Sequence, residues 1–369
     1  MRRALATIDL ECVRHNVNAL RQRLSRGCSV MAVVKANGYG HGAVQVAGAS
    51  IDAGATTLGV ATAAEALELR EAGLSCPIVI LGPLTGAEAQ TAIDCDAEII
   101  LWTPAFLKTL VHLKYEKDRQ LGVHVKLDTG MRRLGVYPRQ LPDLLDLIES
   151  EPAVKLVGLM THFATADEDD EDFLSYQLGV FEEATQVVLR TGTRASYHCA
   201  NSAATLRYPE SHFDMVRCGI AIYGLSPFQT DAAADGLRPA LALTSYLADI
   251  KPLLEGDAVG YGRTWTAPET TTIGVVPIGY GDGFSRRLSN KGRVLIGGNS
   301  YPIVGRVSMD QITVDLGPEP EIQAGAKVSL IGSQGDDAVT AEEMALLLDT
   351  INYEITCNIS SRVERRYTG

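Results

Sequence analysis

The chain has 369 residues, 46% of them hydrophobic, with a formal net charge of −12. That length suits two domains of ordinary size and supplies ample apolar material for both cores. So acidic a balance lacks the basic face that a nucleic-acid partner requires, and none is expected.

The N-terminal stretch MRRALATIDLECVRHN reaches Asp9 and Glu11 without the apolar segment of a signal peptide. No later run approaches membrane-spanning length. Short apolar, β-rich runs then alternate with helical pattern. The runs are Val30–Ala36, Leu58–Ala61, Ile78–Gly82, Glu98–Trp102, Gly122–Asp128, Val154–Thr161, Arg194–Cys199 and Asp214–Tyr223. Between them, stretches such as Ala63–Ala72 and Gln140–Ser150 place leucines at three- and four-residue spacing. Alternation of this kind predicts βα units on a parallel sheet, and the number of units predicts a closed (β/α)8 barrel over residues 1–238. An open dinucleotide-binding sheet is the rival, but no GxGxxG follows the first run. The acidic stretch Asp167–Asp172 reads as a solvated loop or a helix start.

After Pro239 the texture changes. Ala242–Ile250, Thr272–Ile278, Arg293–Ile296, Pro302–Val307, Ile312–Asp315 and Lys327–Ile331 read as strands. Turn signals at Leu254–Asp257, Gly297–Ser300 and Gly332–Asp337 separate them, and one helical pattern, Ala341–Leu348, interrupts them. Residues 239–369 are therefore expected to form a mainly β second domain. The cysteines, Cys12, Cys28, Cys76, Cys95, Cys199, Cys218 and Cys357, are odd in number and lack CxxC spacing. They read as reduced thiols of a cytoplasmic protein, with no disulfide framework and no metal site.

In such a barrel the active site lies at the carboxyl ends of the strands. Those ends carry an unusual set. Lys35 and Tyr39 follow the first strand, in AVVKANGYGHG. Lys126 and Arg133 lie in KLDTGMRRLG, His162 in THFATADE, and His198, Asn201 and Ser202 in HCANSAA. Arg217, Gly219 and Ile220 end the eighth run. Each residue alone is explained by structure: a core histidine, a paired arginine, a serine capping a helix. Together on one rim they fit a phosphorylated aromatic aldehyde, pyridoxal 5'-phosphate. A lysine at the end of a stiff strand can form an imine with the aldehyde. Backbone N–H groups of Gly219 and Ile220, with hydroxyls of Ser202 and Tyr39, suit the phosphate. His162 would lie against the ring, and Arg217 would face the pyridine nitrogen.

The same segments, with VGYGRTW, IGYGDGF, GRVSMDQ and INYE further on, occur in an order that resembles bacterial alanine racemase over essentially the whole chain. The resemblance implies a homodimer whose sites are shared, with alanine as the small-molecule substrate. It implies D-alanine supply for the cell wall or L-alanine supply for catabolism, with a broader-specificity or serine racemase as the alternative. Carried over by motif, Lys35 is the imine lysine, and Tyr261 is the opposing base donated by the second domain of the partner. Lys126 matches a position that is often carbamylated (N6-carboxylysine), where it orients Arg133. Tyr39 and Tyr353 match phosphate-binding tyrosines. Met309 matches a residue whose backbone N–H meets the substrate carboxylate, and Tyr280 a tyrosine at the channel mouth. Gly38 and Ser308 stand where alanine and cysteine are common, and neither change removes a functional group. Racemisation needs a base on each face of a planar carbon. Tyrosine, with an ordinary pKa near 10, needs nearby cations to favour its phenolate, and His162 and Arg217 are the expected link to Tyr261.

Overall fold

The computed structural model describes residues 2–113 and 120–369. Eight parallel strands form one sheet: Ser29–Val33, Thr57–Val60, Ile78–Ile80, Glu98–Leu101, Leu121–Lys126, Val154–Met160, Ser196–His198 and Met215–Cys218. The eighth strand pairs with the first, Met215 opposite Ser29 and Cys218 opposite Ala32. Between the seventh and eighth no regular ladder forms. The gap is bridged instead by hydrogen bonds from the Asp214 amide to the Tyr197 carbonyl and from the Arg217 amide to the Ala200 carbonyl. The strands read as apolar runs because both faces are covered, and every residue from Val30 to Val34 is buried.

Helices wrap the outside. The helix Leu10–Gln22 starts at Asp9, whose carboxylate accepts the amides of Glu11 and Cys12. The helix Ala63–Glu71 starts at a capping box made by Thr62 and Glu65. The helix Asp172–Arg190 begins where the acidic loop ends.

The second domain is built on a seven-stranded sheet and a three-stranded one, Asp249–Leu253, Thr271–Val276 and Ile312–Gly317. Its core gathers residues such as Leu243, Val276, Leu295, Val314 and Leu330, separate from the barrel core. Among the described residues, no helix is long and apolar enough to cross a membrane.

Several expected boundaries move. The run Val30–Ala36 is extended only to Val33. Ala36, Asn37, Gly38 and Tyr39 have φ of 53°, 52°, 60° and 50°, so the chain after Lys35 is a left-handed turn. The eighth strand stops at Cys218, and the apolar residues Ile220–Tyr223 continue as a short 3-10 turn. A continuous apolar run cannot distinguish the two. Ala242–Ile250 is two strands, Leu241–Tyr246 and Asp249–Leu253. The expected strand Pro302–Val307 is displaced to Asn299–Pro302, which hairpins onto Arg293–Ile296 across Gly297 and Gly298.

The expectation that residues 1–238 all belong to the barrel needs one correction. Leu5–Asp9 is a strand of the second-domain sheet, antiparallel to Leu241–Tyr246 and parallel to Glu364–Thr368. Its alternating burial, with Ala6 and Ile8 fully buried, shows why it sits there.

Candidate active site

A cavity of about 340 Å³ opens at the carboxyl end of the barrel. Lys35, Tyr39, Lys126, Arg133, His162, Asn201, Ser202, Arg217, Gly219, Ile220 and Tyr353 all line it, so the structure brings together eleven of the expected site residues. Tyr261, Tyr280 and Met309 do not line it. They are 72%, 43% and 52% exposed on the second domain. Tyr280 and Met309 lie side by side there, joined by amides of Tyr280 and Gly281 that donate to the carbonyls of Ser308 and Met309. Tyr261 stands in a short turn between Gly260 and Gly262, whose φ values are 70° and 72°.

Lys35 sits where strand gives way to left-handed turn. The turn is pinned from outside: Glu65 accepts the Ala36 amide with one oxygen and the Ala61 amide with the other, both at 2.7 Å. Burial, and then the neighbouring Arg133 guanidinium, lower the Lys35 ammonium below its usual range. A larger share is therefore neutral, which is the form that attacks a carbonyl or accepts a proton. Gly40 lets the turn meet the helix Asn352–Cys357, because a β-carbon there would overlap the Thr356 carbonyl. That helix carries Tyr353 over the cavity, its ring 5.9 Å from that of Tyr39.

The cavity carries two kinds of polar group. One is the hydroxyls of Tyr39, Tyr353 and Ser202. Burial raises both phenols well above their usual range, so they are neutral donors. The Tyr39 hydroxyl lies over Gly219, where a β-carbon would press on it at 2.5 Å. Ser202 Oγ accepts the Gly219 amide at 3.0 Å. The Gly219 amide is thus engaged within the protein, while the Ile220 amide has no acceptor among the described residues. Asn201, rather than Ser202, caps the short helix that follows, by accepting the Ala204 amide.

The other is the guanidinium of Arg217, 4% exposed. Its Nη atoms donate to the carbonyls of Thr161, His198 and Cys199 and to Nδ1 of His198 and His162. No carboxylate pairs with it among the described residues, and burial lowers its pKa to about 10. Its Nε has no protein acceptor among the described residues, which leaves one N–H donor not engaged by the protein.

His162 differs from expectation. Burial and the Arg217 charge push its pKa well below the ordinary value, so it is neutral and cannot act as a cation. Since Arg217 only donates, His162 Nδ1 accepts and Nε2 carries the proton.

Lys126, buried at the end of its strand, has its pKa lowered to about 8 by burial and then by Arg217, Arg133 and Lys35. Asp128 does not neutralise it. Asp128 accepts the amides of Gly130 and Arg132 and shapes the turn that carries Arg133. Neither Lys126 nor Arg133 has a carboxylate within ion-pair distance among the described residues.

Sequence reasoning missed Glu65, although its capping-box spacing from Thr62 was a usable signal. It also missed His124 and Glu98, whose places behind Arg217 only the folded barrel shows.

Comparison with known proteins accounts for both halves of the chain. The family model described as alanine racemase, N-terminal domain, matches residues 8–227, and the C-terminal domain model matches residues 240–367. An alanine racemase of Symbiobacterium thermophilum is 42% identical across 100% of this chain and 98% of that protein. One from Geobacillus stearothermophilus is 43% identical across 98% and 92%. The crystal structure of alanine racemase from E. faecalis matches with a TM-score of 0.94 at 39% identity, covering 100% of this chain and 98% of that one. That of the Bacillus anthracis enzyme with bound L-Ala-P matches at 0.93 and 38% identity, covering 100% and 96%. With a barrel, a β-rich second domain and the lysine-bearing cavity all in place, the chain belongs to the alanine racemase family.

Proposed function

We propose that this enzyme interconverts L- and D-alanine with pyridoxal 5'-phosphate seated in the barrel cavity, as a homodimer with shared sites. The observation that carries the reading is one cavity that gathers neutral hydroxyls, the Ile220 amide, Lys35 and an Arg217 whose Nε–H has no protein acceptor among the described residues. When bound, the cofactor supplies an aldehyde carbon and a conjugated ring that takes up the charge left behind as the α-proton departs. Tyr39, Tyr353, Ser202 and Ile220 would hold its phosphate, and Arg217 would donate to its ring nitrogen.

Lys35 takes or returns the α-proton on one face, helped by its lowered affinity for protons. Tyr261 of the partner subunit does so on the other. The exposure of Tyr261, Tyr280 and Met309 supports this arrangement, because aromatic and apolar side chains clustered at a surface mark a contact. His162 presents its Nε2–H to the oxygen of the partner's Tyr261. It favours the phenolate as a hydrogen-bond donor, while Arg217 supplies the positive charge behind it.

Arg133 and the Met309 amide of the partner subunit grip the substrate carboxylate. The free amine of Lys126 adds to CO2 and releases one proton to solvent, giving a carbamate anion that pairs with Arg133. Its lowered pKa supports this, since only the free amine reacts with CO2. Tyr353, with Tyr280 of the partner subunit, restricts the side chain to about the size of a methyl group. The unpaired state of all seven cysteines supports action in the reducing cytoplasm.

The test is direct: purified protein is incubated with L-alanine with and without added pyridoxal phosphate, and D-alanine is followed. Cofactor-dependent conversion in both directions is expected, and no conversion with cofactor bound rejects the reading. A panel including serine measures how strictly the methyl side chain is selected.

A further inference from the structure

Arg217 is buried without an acid beside it, yet a continuous line of hydrogen bonds links it to one. His198 Nδ1 stands 3.1 Å from Arg217 Nη1, His198 Nε2 is 2.9 Å from His124 Nδ1, and His124 Nε2 is 2.8 Å from Glu98 Oε2. Both rings are buried. The guanidinium has no lone pair to offer, so the donor sense of every link follows. His198 Nδ1 must be bare and its Nε2 protonated. His124 Nδ1 must then be bare, and its Nε2–H donates to the carboxylate. Any other tautomer sets two N–H groups, or two lone pairs, against each other in the core.

The rings also have room made for them. Gly158 leaves bare the space that His124 fills, since a β-carbon there would overlap Nδ1, and a β-carbon at Gly122 would meet the Glu98 side chain at 3.0 Å. Glu98 begins its strand, so its carboxylate lies at the opposite mouth of the barrel, in a separate recess shared with Gln120 and Lys155. Its side chain is 32% exposed. The line therefore runs along the barrel interior, from a solvated acid to the guanidinium at the site.

We propose that Glu98, His124 and His198 are positioning residues that fix the Nη edge of Arg217 and so aim its Nε–H into the cavity. What Nε then meets rests on the cofactor reading above, whereas the tautomers do not. Burial holds His198 well below the ordinary histidine pKa, in keeping with a neutral ring. A carboxylate at the far end polarises both imidazoles and strengthens each as an acceptor.

The experiment compares the wild-type holoenzyme with Glu98→Ala and Glu98→Gln, chosen because Glu98 is partly solvated and both variants should fold. One readout is the 15N spectrum of selectively labelled histidines. The other is pyruvate released per alanine racemised, which counts turnovers in which the amino group stays on the cofactor. The wild type should show bare Nδ1 and protonated Nε2 for both His198 and His124. Glu98→Ala should mix the tautomers and raise pyruvate per turnover about three- to tenfold, the worth of one hydrogen bond. Glu98→Gln, whose amide oxygen still accepts from His124, should restore both readouts. A wild-type His198 protonated at Nδ1, an unchanged partition in Glu98→Ala, or a glutamine no better than alanine would each overturn the proposal. A wild type that fails to racemise alanine would instead defeat the cofactor reading, and the tautomer spectrum would still decide the hydrogen-bond line.

Discussion

At the scale of single residues, the site holds cationic side chains close together with no carboxylate within ion-pair distance among the described residues. Lys35, Lys126, Arg133 and Arg217 share one cavity; beyond burial, Arg133 lowers the pKa of Lys35, and Arg217, Arg133 and Lys35 lower that of Lys126. Arg217 is the residue whose replacement discriminates best. On the cofactor reading, a guanidinium there would disfavour a proton on the ring nitrogen, whereas a carboxylate would favour one and so strengthen the ring's hold on charge. Arg217→Glu should therefore slow racemisation while raising transamination per turnover, both measured on the same sample. A parallel fall in the two rates contradicts the account.

Lys126 gives a prediction with a definite sign. Its pKa in the folded protein is about 8, against the ordinary 10.5 of a free lysine side chain. Between those values the unfolded chain holds more protons, so stability rises with pH across that window. In CO2-free buffer, the melting temperature of the wild type should gain on that of Lys126→Met between pH 8 and 10. A constant difference means that the amine is not perturbed.

Much of this level was legible in the sequence, because catalytic side chains carry distinctive chemistry at strand ends. Charge state was not. Nothing in THFATADE shows that His162 is neutral, since that follows from its burial beside Arg217.

At the scale of elements, the turn after Lys35 matters most. Ala36, Asn37, Gly38 and Tyr39 adopt positive φ in succession, a conformation that of the four only Gly38 takes at little cost. Glu65 holds them there from the neighbouring helix. Glu65→Ala should lower stability by about 1–2 kcal/mol, as loss of a helix cap does. It should also quicken amide exchange at Ala36, measured by hydrogen–deuterium exchange. Unchanged exchange would mean that the turn is held by other contacts.

The barrel strands were readable because a strand covered on both faces is apolar throughout. Their ends were not readable, since VVKA and CGIAIYG remain apolar where the backbone has already turned. The helix Asn352–Cys357, which carries Tyr353, is too short for periodicity to reveal.

At the scale of the whole molecule, the first strand belongs to the second domain's sheet, although the barrel follows it in sequence. Leu5–Asp9 fills the sheet between Leu241–Tyr246 and Glu364–Thr368, and Arg3 forms a two-point ion pair with the fully buried carboxylate of Asp282 beside Tyr280. This strand escaped the sequence reading because it is five residues long and its partners lie more than two hundred residues away. Removal of residues 2–9 should expose two sheet edges. The truncated protein is expected in the insoluble fraction, with a soluble, cooperatively melting product as the contrary result.

The central claim, that Lys35 of one protomer works with Tyr261 of the partner subunit, is tested most directly by mixing two inactive variants. Lys35→Ala and Tyr261→Phe should each lose about a hundredfold or more of the racemase rate. Co-refolded in equal amounts, they should regain about a quarter of wild-type activity, because half the dimers then contain one intact site of two. Activity that stays at the level of the separate variants would show that the two residues do not meet across the dimer.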